Sequence, residues 1–173
     1  MSAQLKRGVR PLIELNRMKN LFILVLILLG STSAFAQSRR IGAYRFQKSK
    51  GNHTATIVIR NARFDSSKHE VAYDRNIGSL VDGRKAFGVE SIPKTQIKSI
   101  EFYFDGKQIK VPRRLYSDCY NPNLEPQYVK MNFGTDSQHV RVVMWGADGA
   151  GAYGVVWRLR KDGKHSRSFK DAL

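Results

Sequence analysis

The chain has 173 residues, 30 of them Lys or Arg against 14 Asp or Glu, for a formal net charge of +16. Apolar residues make up 42% and charged ones 25%, which is the composition of a folded globular domain rather than a disordered chain. The single cysteine, Cys119, excludes an intrachain disulfide framework and a multi-cysteine zinc or iron–sulfur site.

Lys6, Arg7, Arg10, Arg17 and Lys19 precede an unbroken apolar run from Leu21 to Leu29. Gly30 ends the run, and Ala34 and Ala36 follow in A-x-A spacing. This order predicts a signal peptide over residues 1–36, cleaved after Ala36, and a periplasmic or extracellular destination. As a helix the apolar run reaches about 13 Å against a hydrocarbon core of about 30 Å, so no transmembrane span is expected after cleavage. Residues 1–17 read either as a long basic leader or as a start placed upstream of Met18. Removing residues 1–36, which hold five basic residues and one acidic residue, leaves 137 residues with net charge +12. A domain of that size buries roughly two-thirds of its unfolded surface and needs no disulfide. Cys119 is expected to be buried and inert.

Residues 37–53 read as a basic linker or first strand, with alternation over Ala43–Gln47. Residues 54–173 form the expected domain, and its apolar period is two. The inward sets are Ala55, Ile57 and Ile59; Ile100, Phe102 and Phe104; Ile109 and Val111; Val129, Met131 and Phe133; Val140, Val142 and Met144; and Tyr153, Val155, Trp157 and Leu159. Asp105-Gly106 and Asp162-Gly163 predict two-residue type I′ hairpins, because Asp-Gly tolerates the positive φ that such turns need. Asp82-Gly83 and Asp148-Gly149 mark further turns. Pro112–Gln127 has no period and reads as a long loop with one helical turn near Arg113–Tyr116. The fold class is therefore all-β: a single-domain antiparallel β-sandwich or small barrel of about seven to eight strands. Trp145 shares a face with Arg141 and Val143, and a covering layer is expected to bury it.

Gly149-Ala150-Gly151-Ala152-Tyr153-Gly154 matches G-x-G-x-x-G. The dinucleotide fingerprint needs a helix after its glycines, whereas Val155–Arg160 alternates like a strand, so no dinucleotide and no other cofactor is expected. Asp148, Gly149 and Gly151 remain as loop ligand candidates. Asp118, Asn121, Asn123 and Glu125 put four hard side-chain oxygens in eight residues, the donor type calcium takes, without EF-hand spacing. His53, His69, His139 and His165 have no metal-ligand spacing, and no nucleophile motif marks a catalytic residue.

Charge is the remaining signal. Arg158, Arg160, Lys161, Lys164, Arg167 and Lys170 stand at the C-terminal end with only Asp162 opposing them. A surface of one sign concentrates partners of the other. The sequence is thus read as an exported bacterial-type β-domain, non-catalytic, with a basic C-terminal hairpin. That hairpin is expected to bind anionic polysaccharide, lipid phosphate or another envelope polymer. A second reading is a protein-interaction module, an inhibitor or assembly subunit, acting through the Gly146–Gly154 or Pro112–Gln127 loop. A third is a secreted hydrolase with a site drawn from distant strands.

Overall fold

The alternating runs pair into antiparallel sheets. The computed structural model describes residues 41–170, all within one compact unit, Arg39–Leu173. The expected export signal over residues 1–36, the alternative start at Met18 and Arg39–Arg40 lie outside the described residues. Eleven strands occur in order: β1 (Ala43–Lys50), β2 (His53–Arg63), β3 (Val71–Asp74), β4 (Gly78–Val81), β5 (Arg84–Lys85), β6 (Thr95–Phe104), β7 (Lys107–Lys110), β8 (Val129–Phe133), β9 (His139–Gly146), β10 (Tyr153–Arg160) and β11 (Ser166–Lys170). Among the described residues there is no α-helix, only three short 3-10 turns.

The first sheet has the order β1-β2-β6-β7, the second β11-β10-β9-β8, and the third β3-β4-β5. Among the described residues no sheet closes into a barrel. Every inward set predicted from alternation enters one apolar cluster shared by the two four-stranded sheets. Ala55, Ile57, Ile59 and Phe102 come from the first sheet, and Val140, Val142, Met144, Val155, Trp157 and Leu159 from the second; all are fully buried. The layering is sandwich-like: the inner face of each sheet packs into the shared cluster and the outer face carries the exposed charges, with Val58, Val143 and Val156 shielded among them.

Three strands exceed the expected number. They are β3, β4 and β5, two to four residues each, too short to show a period. Their sheet covers a small second cluster of Val81, Ala86, Val89 and Tyr120.

The Asp-Gly turns divide. Asp82-Gly83 has φ of 51° and 72°, and Asp105-Gly106 has 49° and 80°; both close two-residue hairpins as type I′ requires. At Asp162-Gly163 only Gly163 takes a positive φ, and the hairpin is longer than predicted. There the Asp162 carboxylate accepts the Lys164 N–H at 3.0 Å and holds Arg160, so a five-residue connection runs from Arg160 to Ser166.

The segment Asp118–Asn123 joins the two four-stranded sheets to the chain that follows β5. Phe87 bridges Cys119, Gln96 bridges Tyr120, and Pro122 bridges Gly146. Gly88 sits beside this crossing at φ +82°, where any Cβ would run into the Tyr120 carbonyl oxygen and the Tyr153 ring. Trp157 fastens the long loop from the other side, its Nε1–H donating to the Leu115 carbonyl at 2.7 Å.

Candidate functional site

Pairing register decides which charges share a face. In the second sheet Arg158 lies opposite Ser166 on one side and Arg141 on the other, and Arg141 lies opposite Asn132. The next row is Ser168, Val156, Val143 and Lys130. The third is Lys170, Gly154 and Trp145, with Tyr128 beside Trp145 through the Trp145 N–H···O=C Tyr128 bond of 3.0 Å. Residues opposite each other in a ladder project to one side. All three rows project away from the core cluster. These three rows carry Arg141, Arg158, Lys130 and Lys170, all exposed, and no carboxylate; the next row of the same face, Arg160 opposite His139, is met by Asp136 and Asp162.

The first sheet differs. Its outer row reads Arg45, Val58, Glu101, Lys110, and Glu101 also takes Arg60 at 3.1 Å.

The six predicted C-terminal cations are not one patch. Arg158 and Lys170 lie on the outer face just described. Lys161 and Lys164 occupy the turn. Arg160 is held by Asp162 at 3.2 Å, with Asp136 at 3.9 Å. Arg167 points the other way: it lies opposite Trp157 on the inner side, is partly buried, and pairs with Asp118. Its guanidinium also stacks 4.6 Å over Phe169, which stacks on Phe87, which lies under Lys85. This ladder ties β11 to the third sheet's end. Arg167→Gln should therefore lower stability by about 2 kcal/mol and leave polyanion binding unchanged. Chemical denaturation and a binding isotherm on one sample separate the two effects.

The calcium-type candidates separate as well. Asp118 goes to Arg167 and contacts Cys119, whose thiol is fully buried. Desolvation chiefly, then the neighbouring Asp118 charge, pushes that thiol's pKa far up, so the thiolate form is suppressed. Asn121 spends its amide on backbone: Oδ1 accepts from the Lys94 and Thr95 N–H groups at 2.9 and 3.1 Å, and Nδ2 donates to the Gly88 carbonyl at 2.6 Å. Glu125 accepts from Gln127 Nε2 at 2.6 Å. Asn123 Nδ2 reaches Asp148 Oδ1 at 3.4 Å. Among the described residues no group of three His, Cys, Asp or Glu side chains gathers as a metal site.

The glycine-rich loop is a 3-10 turn, Gly149–Gly151, leading into strand β10 rather than a helix. Gly151 N–H donates to Glu90 Oε1 at 2.7 Å, a partner the sequence did not suggest. An open cavity of about 220 Å³ lies here, lined by Gly88, Glu90, Ile92, Asn121, Ala147 and Asp148. Ala147 is held at φ +55°, a conformation that costs a non-glycine residue about 1–2 kcal/mol.

The histidines serve turns. Asp105 accepts the Thr54 N–H at 2.8 Å and His53 Nδ1 lies 2.7 Å away; Asp82 does the same with the Glu70 N–H and His69 Nδ1, at 3.0 and 2.7 Å. These contacts lower both carboxyl pKa values, the Thr54 N–H leading at Asp105 and His69 at Asp82. His165 lies edge-on to Phe102, and its Nδ1 accepts the Arg160 N–H at 3.0 Å. That bond needs a neutral ring nitrogen. Burial pushes the His165 pKa down, against the smaller pulls of the Lys110 backbone and Asp162. As pH falls the unfolded chain takes up this proton first. The stabilisation from the neutral ring is complete above about pH 6.5 and is lost progressively below it. Unfolding experiments between about pH 7 and 5 should show this slope in the native protein and a flatter one in His165→Gln; equal slopes would contradict it.

Trp145 is not covered by a second layer. The layer lies on the opposite side of the sheet, and Trp145 stays partly exposed. A Cβ on Gly154 would meet its ring atoms Cζ3, Cε3 and Cη2 at 2.5, 2.9 and 3.0 Å, so the indole lies directly over the Gly154 backbone.

Comparisons with protein-family models, curated proteins and solved structures gave no match to this chain.

Proposed function

We propose that this protein is an exported, non-catalytic β-domain that binds anionic envelope or extracellular polymer through the outer face of its second sheet. The supporting observation is the set of three rows holding Arg141, Arg158, Lys130 and Lys170 with no carboxylate among them. Among the described residues none of these four is in an ion pair, while Arg160 and Arg167 both are. Four cations on one face sum their attraction for a polyanion, whereas mixed faces cancel theirs. The leader pattern at residues 1–36 supports the compartment, and polysaccharide, lipid phosphate and other envelope polymers are the partners it offers.

The test is retention of the purified protein on immobilised acidic and neutral polymers as salt rises. Screening shortens the Debye length from about 30 Å at 0.01 M to about 10 Å at 0.1 M. Retention on the acidic polymer alone, released across that range, is expected. Equal retention on both, or none on either at low salt, would contradict the proposal.

A second reading, a protein-interaction module, is favoured by the cavity between Glu90 and Asp148. The strained Ala147 lines it, and Ile92 stands 58% exposed at its rim. A stoichiometric protein partner retained at high salt would support it.

A further inference from the structure

We infer that the polymer is an acidic polysaccharide, and that Trp145 is the surface on which one of its sugar rings stacks. The inference rests on the anion-binding reading above and narrows its ligand class.

Three observations carry it. First, the indole is flat against the sheet. Its inner face covers Gly154, the one residue type that leaves room there. Its outer face is the larger aromatic surface in a row otherwise made of Gly154, Lys170 and Tyr128. The face of an aromatic ring is electron-rich and attracts the weakly positive C–H groups on one side of a pyranose. A bare phosphate chain offers no such group.

Second, the cations stand off from the ring. Arg158 is four residues from Gly154 along β10, and Arg141 four residues from Trp145 along β9, so each backbone position is about 13 Å from the aromatic row. Lys170 is two strands from Trp145, about 10 Å across the ladder. Arg158 and Arg141 face each other and can share one compact anion, which then lies about 13 Å from the ring, with Lys130 in the row between. A polymer running along the strands meets the arginine pair and reaches the ring as well.

Third, the aromatic surface is too small for a single-stranded nucleic acid: one ring, with Tyr128 beside it, provides little of the repeated stacking that single strands use.

The experiment measures affinity of the full protein for three labelled probes at equal low salt: an oligouronate, a polyphosphate of similar charge, and a single-stranded oligonucleotide. Native protein is expected to bind the oligouronate about ten-fold tighter than the polyphosphate. Trp145→Ala should remove that preference and leave polyphosphate affinity unchanged. Trp145→Tyr should restore part of it. Gly154→Ala, which displaces the ring without deleting it, should behave like Trp145→Ala. Unfolding curves for each variant identify any loss that reflects misfolding; Trp145→Tyr then carries the comparison. Polyphosphate or oligonucleotide bound as tightly as oligouronate, with Trp145→Ala indifferent, would overturn the inference and leave the anion-binding reading intact. No binding of any probe would overturn that reading too.

Discussion

Replacing Asn121 with Ala should lower the unfolding free energy by roughly 3–6 kcal/mol, from two buried and one part-buried backbone group left unpaired and from Ala standing at a positive φ that Asn tolerates better. The Lys94 and Thr95 N–H groups and the Gly88 carbonyl all depend on this one side-chain amide. The backbone of Asn121 is committed as well, its N–H to the Thr95 carbonyl and its carbonyl to the Ala147 N–H. Its φ of +47° suits Asn better than Ala. The residue therefore pins the start of β6, the end of the third-sheet excursion and the glycine-rich loop at one point. Chemical denaturation should show a lower midpoint at unchanged slope. Asn121→Asp keeps both accepted bonds but sets a carboxylate oxygen against the Gly88 carbonyl, so it should be destabilised too. Calcium should rescue neither variant. A calcium-dependent rise in the native melting temperature would show that the oxygen-rich loop is a ligand set after all.

The second large effect is on binding. Changing Lys130, Arg141, Arg158 and Lys170 together to Ser should weaken polyanion binding by about a thousand-fold at low salt, on the basis of roughly 1 kcal/mol for each cation near an anionic surface. All four side chains are exposed and none is in an ion pair among the described residues, so stability should change little. Changing Arg160 and Arg167 to Gln removes only half as much charge. It should leave affinity nearly intact and lower stability, because those side chains hold Asp136, Asp162 and Asp118. The two variants thus separate a binding face from a structural ion-pair set. If affinity followed net charge alone, the double variant would lose about half the binding energy.

The strands facing the core were legible because each has one dry and one wet side. Ile57, Phe102, Val142 and Trp157 all stand where alternation puts them. The third sheet was not legible. Its strands are two to four residues long, and Tyr73 on β3 is 72% exposed, so burial gives no period to read. The site was harder still. Basic residues close in sequence read as one hairpin patch, yet alternation turns Arg167 inward and Arg158 outward. Which cations join Arg158 depends on the register of β9 and β8, and nothing local in the sequence states it. Asp118 reaches Arg167 across 49 residues, so the pair that neutralises Arg167 was also invisible. For Trp145 the parity was readable but the position of the covering layer was not. The His–Asp clasps share that difficulty, since each joins a histidine to the aspartate of a turn elsewhere in the chain, 52 residues on for His53 and 13 for His69.

The claim that the second sheet's outer face is the binding surface is tested most directly by an NMR titration of the native protein with a short polyanion, oligouronate or polyphosphate. The shifts should centre on the Arg141 and Arg158 Nε–H and the amides of Lys130 and Lys170. The Gly151 N–H, held by Glu90 in the glycine-rich loop, should stay fixed. Shifts centred on Ala147–Gly151 and Glu90, with Arg141 and Arg158 unmoved, would contradict the account and move the site to the cavity.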